Sequence, residues 1–163
     1  MTSKKKSGDV YFKSVDNYKL QIDFKDLTND VYGILQNKLA NILEGKCNNS
    51  GLIKKNSIKI LTHSSGELVG NKIKFDIVFE SLITNPVENM IIECKVSSVT
   101  KVGIRASLNN DDSNPFVIFL SRDHHYSNKA FSEKSIGDII TVKVLGKRYE
   151  LFDESISIIG ELL

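Results

Sequence analysis

Between Met90 and the C terminus the apolar residues gather in five short runs, and this succession constrains the fold more than any other feature. The runs are Met90–Val99, Val102–Leu108, Phe116–Leu120, Ile139–Leu145 and Ser155–Leu162, punctuated by Gly103, the NNDDSNP stretch, Gly137 and Gly146. Short apolar runs bounded by turn formers read as strands, since successive side chains of a strand point to opposite faces. Five such strands, with room for a short helical turn between the third and fourth, predict a small Greek-key barrel of the OB type. The terminal KVLGKRYELFDESISIIGELL alternates on both sides of an acidic turn and is expected to be the antiparallel hairpin that closes the barrel. The continuous apolar run 117–120 (VIFL) reads as a strand covered on both faces, either by the barrel interior and the first half or by another chain.

The first half has a different rhythm. Tyr18–Phe24 alternates cleanly and predicts a half-buried strand. DLTNDVYGILQNKLANILEG places Val31, Ile34, Leu35, Leu39, Ile42 and Leu43 on one helical stripe, with Asp26 or Thr28 as candidate N-cap and Gly45 as the stop. Gly33 inside that helix reads either as close packing against a neighbour or as neutral drift. Leu52–Ile53, Ser57–Leu61 and Ile73–Phe79 read as further strands. The TNPVEN stretch, Thr84 to Asn89, gathers turn formers around a proline and divides the halves. The expected organisation is α+β, mainly β: a strand–helix–sheet domain over residues 1–85, then a five-stranded OB-fold barrel over 86–163.

Composition narrows the function. With 40% apolar and 26% charged residues, the chain buries an ordinary core. No apolar run approaches the roughly 20 residues of a membrane span, and MTSKKKSGD has no hydrophobic segment behind it, so neither a membrane nor a secreted protein is expected. Cys47 and Cys94 are far apart and carry no Cys-x-x-Cys signature, which fits a reducing compartment. A net charge of +2 is too small for a strongly electrostatic nucleic-acid binder, so any such contact must come from local clusters. Only Arg105, Arg122 and Arg148 supply bidentate forks.

The densest group of reactive side chains is RDHHY, Arg122 to Tyr126. Adjacent histidines on a strand would face opposite ways, and neither they nor the isolated His63 have a His-x-x-x-His or cysteine partner, so a metal site is not signalled. Ser121 beside His124 lacks a nucleophile elbow, and no glycine-rich phosphate loop exists, which leaves a hydrolase without support. Asp111 and Asp112 belong to loop chemistry and lack EF-hand spacing. No cofactor is implied. The basic residues of the second half are more suggestive: Lys95, Lys101, Arg105, Arg122, Lys143, Lys147 and Arg148 spread over the predicted strands. On an OB barrel they would line a groove for a single-stranded backbone, with Phe116, Phe119 and Tyr126 within reach for stacking. The opposing reading has the phenylalanines in the core and the lysines merely solvated. The Lys4–Lys6 run reads as a solvated tail or as a nucleic-acid or docking arm.

Taken in order, EGKC followed by Gly51-Leu52-Ile53, NPVENM, CKVSSVTKVGIRASL, FLSRDHH and GDIITVKVLGKRYELFDESISIIGELL resemble the RNA polymerase stalk subunit family. Its members are the seventh subunit of eukaryotic RNA polymerase II and the archaeal counterpart of that subunit. The lysine-, isoleucine- and asparagine-heavy composition and the shortened first half look most like versions carried by large nucleocytoplasmic DNA viruses. The resemblance implies a non-catalytic subunit with a ribonucleoprotein-like first domain, paired with a helical fourth-subunit-like partner and touching nascent single-stranded RNA. It implies docking on the polymerase core through Glu44, Gly45, Lys46 and Gly51. It also implies transcript contacts from Lys95, Lys101, Arg105, Phe116, Arg122, His124, Lys143, Lys147 and Arg148. The implied location is virion and host cytoplasm for a viral version and the nucleus otherwise. Where the family often has aromatics after the glycine of the second barrel strand, this chain has Ile104 and Arg105, so stacking there is expected to be lost. A free-standing OB-fold protein binding single-stranded RNA or DNA is the alternative reading.

Overall fold

Alternation and helical periodicity translate into two units, Tyr11–Thr84 and one that contains Asn85–Leu163. The computed structural model describes residues 10–108 and 114–163; the Lys4–Lys6 run and the Asp111–Asp112 pair lie outside the described residues. In the first unit the elements run β1 (Phe12–Asp23), α1 (Val31–Leu43), β2 (Cys47–Asn48), β3 (Gly51–Ile53), β4 (Lys59–His63), β5 (Glu67–Val69) and β6 (Lys72–Thr84). β6 is the hub of a six-stranded antiparallel sheet: β1 lies along its whole length on one side, and β3, β4 and β5 pair with it on the other. The inward residues of β6, Ile73, Phe75, Ile77 and Phe79, meet Leu35, Leu39 and Leu43 of α1 in one core with Leu20 and Ile22. Their i, i+4 spacing keeps the three leucines on one face, and burying each contributes about 1.5–3 kcal/mol.

Three expectations for this unit are corrected by its contacts. The helix begins at Val31, and its cap is Asp30, whose carboxylate accepts the Gly33 N–H at 3.0 Å. Asp26 instead closes a 3₁₀ turn (Phe24–Asp26) and pairs with Lys38 at 3.6 Å. Gly33 is crowded by its own cap rather than by another element, since a Cβ there would lie 2.2 Å from Asp30 Oδ2. Finally, β1 starts at Phe12, six residues before the alternation becomes legible. FKSVDN has no apolar period, and its strand state comes from pairing with β6, Phe12 opposite Ile83.

The second unit comprises β7 (Ile91–Val99), β8 (Gly103–Leu108), β9 (Phe116–Ser121), a 3₁₀ turn (Asp123–His125), α2 (Lys129–Ser132), β10 (Ile139–Arg148) and β11 (Ile156–Leu162). These strands form a closed barrel in the order β10-β11-β9-β8-β7, with β10 returning to β7. β10 and β11 are antiparallel as expected, but β11 also runs parallel to β9, Ile156 opposite Phe116 through Ile159 opposite Phe119. This mixed five-stranded closure is consistent with an OB fold. Inside lie Ile92, Cys94, Val96, Ile104, Ala106, Phe116, Ile118, Leu120, Ile140, Val142, Val144, Ile156 and Ile158, all buried. The outer residues of 117–120, Val117 and Phe119, are half-buried within this chain. Among the described residues no helix is long and apolar enough to cross a membrane.

Candidate nucleic-acid interface

The outward face of the second and third barrel strands brings an arginine and an aromatic side by side. Arg105 on β8 lies opposite Phe119 on β9, and Phe119 lies opposite Ile159 on β11, so the three form one row across the outside. The tip of the Phe119 ring leans over Gly103, with Cζ 3.0 Å from where a Cβ would project. Glycine is required there for a second reason, because that Cβ would sit 2.1 Å from the Leu120 carbonyl oxygen. Ile104 points into the barrel and Arg105 out of it. Beside Arg105 on this face, the half-buried aromatic ring is therefore Phe119 of the neighbouring strand rather than a residue of β8.

Further along these two strands, past the Gly103–Ser121 pair, the β7–β8 turn meets the segment after β9. Val99, Thr100, Lys101 and Arg122 line an open depression of about 630 Å³. Thr100 locks the turn: its hydroxyl donates to the Gly103 carbonyl at 3.0 Å and accepts from the Gly103 N–H at 3.3 Å. Arg122 donates from Nη2 to the Thr100 carbonyl at 3.1 Å, while its guanidinium carbon lies 5.6 Å from the centre of the Phe131 ring. His125 stacks on Phe131 with centroids 4.5 Å apart.

The RDHHY histidines lie in the 3₁₀ turn rather than on a strand, which separates them by solvent access: His124 is exposed and His125 is buried. His125 Nε2 accepts the Leu162 N–H at 2.9 Å, which requires the proton on Nδ1, and Nδ1 then donates to the Ser121 carbonyl at 2.6 Å. Both ring nitrogens are consumed in tying the turn to β11, so this histidine is a structural pin. Among the described residues, no group of three or more His, Cys, Asp or Glu side chains is arranged to hold a metal ion.

The other predicted contacts do not join this face. Phe116 is 0% exposed and belongs to the barrel interior, because an odd-numbered step along β9 would be needed to turn it outward. Lys143 lies on β10 between Ile91 and Glu161, and Lys95 on β7 lies between Ser107 and Ile139. They share a β7–β10 side on which Ile91 and Ile139 are exposed. Lys147 bonds the Asn85 side chain, and Arg148 ion-pairs with Glu150 at 3.9 Å. Arg148 reaches β9 only through Ser157 opposite Val117, about 17 Å of strand from Arg122. Tyr126 is 88% exposed beyond the turn. Residues that the sequence pattern did not single out are Leu151 and Phe152, exposed in the β10–β11 connection, with Phe152 at φ +66°. An aromatic within an acidic loop carries no periodic signal that would mark it.

In the first unit Glu44, Gly45, Lys46 and Gly51 do come together, where the end of α1 meets the β2–β3 hairpin. Glu44 Oε1 accepts the Ile58 N–H at 3.3 Å, the Lys46 carbonyl accepts the Ile53 N–H at 3.0 Å, and Gly51 N–H donates to Asn48 Oδ1 at 3.1 Å. A scan against protein-family models finds no match, and a search of curated proteins finds none either.

Proposed function

We propose that this chain is a non-catalytic stalk subunit of a multisubunit DNA-dependent RNA polymerase. It docks on the core enzyme through its first, ribonucleoprotein-like domain, pairs with a fourth-subunit-like helical partner and presents its barrel to emerging single-stranded RNA. Support comes from the ordered sequence motifs together with a helix-on-sheet unit followed by an OB-type barrel. The observation that carries the reading is the Arg105–Phe119 pair at the centre of the β8–β9 face, flanked by Lys101 and Arg122. A cation beside a half-exposed aromatic on strands 2 and 3 is what an OB barrel uses to hold a backbone and stack a base, at about 1–3 kcal/mol per base. The Glu44–Gly51 corner is the docking candidate. The β7–β10 side, where Ile91 and Ile139 interrupt the lysines, suits a protein partner better than a polyanion.

The deciding experiment is affinity purification of the tagged protein from the cells or particles that make it, with mass spectrometry of co-eluting proteins. Large polymerase subunits at near-equal stoichiometry are the expected result. Nucleic acid alone would overturn the subunit assignment and leave a free-standing OB-fold binder.

A further inference from the structure

The depression beside the β7–β8 turn has a lopsided chemistry. Two of its four lining residues are cations, Lys101 and Arg122. The ion pairs found among the described residues are Lys38–Asp26 and Arg148–Glu150, so neither cation pairs with a carboxylate of the described residues. Arg122 is half-buried, and its Nε–H is shielded from solvent without an acceptor. A partly desolvated charge with no counter-charge and an unmet donor is costly, and folded proteins keep few of them.

The arginine is also held in place. One face rests on Phe131, which is itself stacked on His125, and Nη2 is tethered to the Thr100 carbonyl. His125 in turn is pinned to Ser121 and Leu162. Little side-chain freedom remains to be lost when a ligand arrives, and the remaining Nη donors form a planar fork suited to two oxygens of one tetrahedral anion.

We propose that Lys101 and Arg122 form a phosphate seat that takes a backbone phosphodiester of a single-stranded nucleic acid, the neighbouring base stacking on Phe119. This rests on the reading of the barrel as an RNA-contacting surface and assigns the step that reading leaves open, namely where the strand is anchored. The nucleic acid is favoured over a free anion or a phosphorylated peptide because Phe119 and Arg105 continue the same surface from Gly103 inward.

The test measures binding of a 5′-labelled twelve-nucleotide oligouridylate to the full chain across a salt series. The variants are Lys101→Ala, Arg122→Lys, Arg122→Gln and the double variant Lys101→Ala/Arg122→Gln, with Lys72→Ala on the first unit as the control. Melting curves accompany each, and Arg122→Lys keeps the charge while removing the fork, which separates loss of charge from altered packing on Phe131. The double variant is expected to lose about tenfold or more in affinity. Its slope of log K against log salt should fall by about 1.4, two contacts at about 0.7 each for a single strand. Lys72→Ala should match the wild type. On a methylphosphonate oligomer of the same sequence, wild type and double variant should bind alike.

Wild-type affinity and slope in a folded double variant would overturn the seat while leaving RNA binding intact. Failure of the wild type to bind any oligonucleotide would bring down the RNA reading and the seat with it. Displacement by inorganic phosphate at concentrations matching the oligonucleotide, or equal binding of a phosphoserine peptide, would reassign the depression to a different ligand and overturn the proposal.

Discussion

Cys94 shows how a single residue inherits its chemistry from the barrel. It faces the interior of β7, opposite Leu108 on one side and Ile140 on the other. Burial, with a smaller contribution from the adjacent Glu93 carboxylate, pushes its thiol from 9.0 up to about 12. In the unfolded chain the thiol begins to ionise near 9.0, whereas in the barrel it stays protonated to about 12, so over that window the unfolded state binds fewer protons. The thiol's contribution to stability is therefore complete below 9.0 and is lost as pH rises toward 12. Urea midpoints measured through this range should fall more steeply for the wild type than for Cys94→Ala, and equal slopes would show that the thiol is solvated. Gly51 illustrates the same dependence. It is buried with φ +140°, a conformation that costs other residues about 1–3 kcal/mol. A bulky substitution there tests the β2–β3 hairpin before it tests docking.

Elements depend on a few local contacts that composition does not reveal. Of the acidic residues before α1, Asp30 reaches an otherwise unpaired helix N–H, while Asp26 makes a half-exposed ion pair with Lys38. Asp30→Ala is accordingly expected to cost about 1 kcal/mol of stability and Asp26→Ala under about 0.5 kcal/mol. Denaturant melts of the two variants check this, and equal losses would remove Asp30 from its capping role. The 3₁₀ turn after β9 works similarly: one buried imidazole replaces a strand-end hydrogen bond by joining Ser121 to Leu162. Adjacent histidines in a sequence give no hint of this, because which one is buried depends on the turn's geometry and on Phe131, six residues further along the chain.

At the scale of the whole molecule, β11 decides whether the second unit closes. It pairs antiparallel with β10 and parallel with β9, so two of the five seams run through it. Truncation after Ser155 should leave β9 and β10 with open edges and unfold the barrel, while the Tyr11–Thr84 unit keeps its own core. Hydrogen exchange of the truncated chain checks this: protection retained in β7, β8 and β9 would mean that the other strands suffice.

The parts of the fold that depend on near neighbours are legible in the residues alone. Period-two alternation in Ile73–Phe79, the short apolar runs after Met90 and the leucine stripe of α1 specified strands, helix and core faces, since side-chain direction repeats within a few residues. The Arg105 and Arg122 positions were legible as candidates because charge type is local too. Only the tertiary structure decided the rest. It turned FKSVDN into a strand through pairing with β6, set β11 parallel to β9, and sent Phe116 inward while leaving Phe119 at the surface. It also distributed the predicted cations around the barrel, leaving Lys101 and Arg122 past the Gly103–Ser121 pair and Lys143 and Arg148 away from it. The physical reason is that strand pairing and burial are set by contacts between residues far apart in sequence, which no local period encodes.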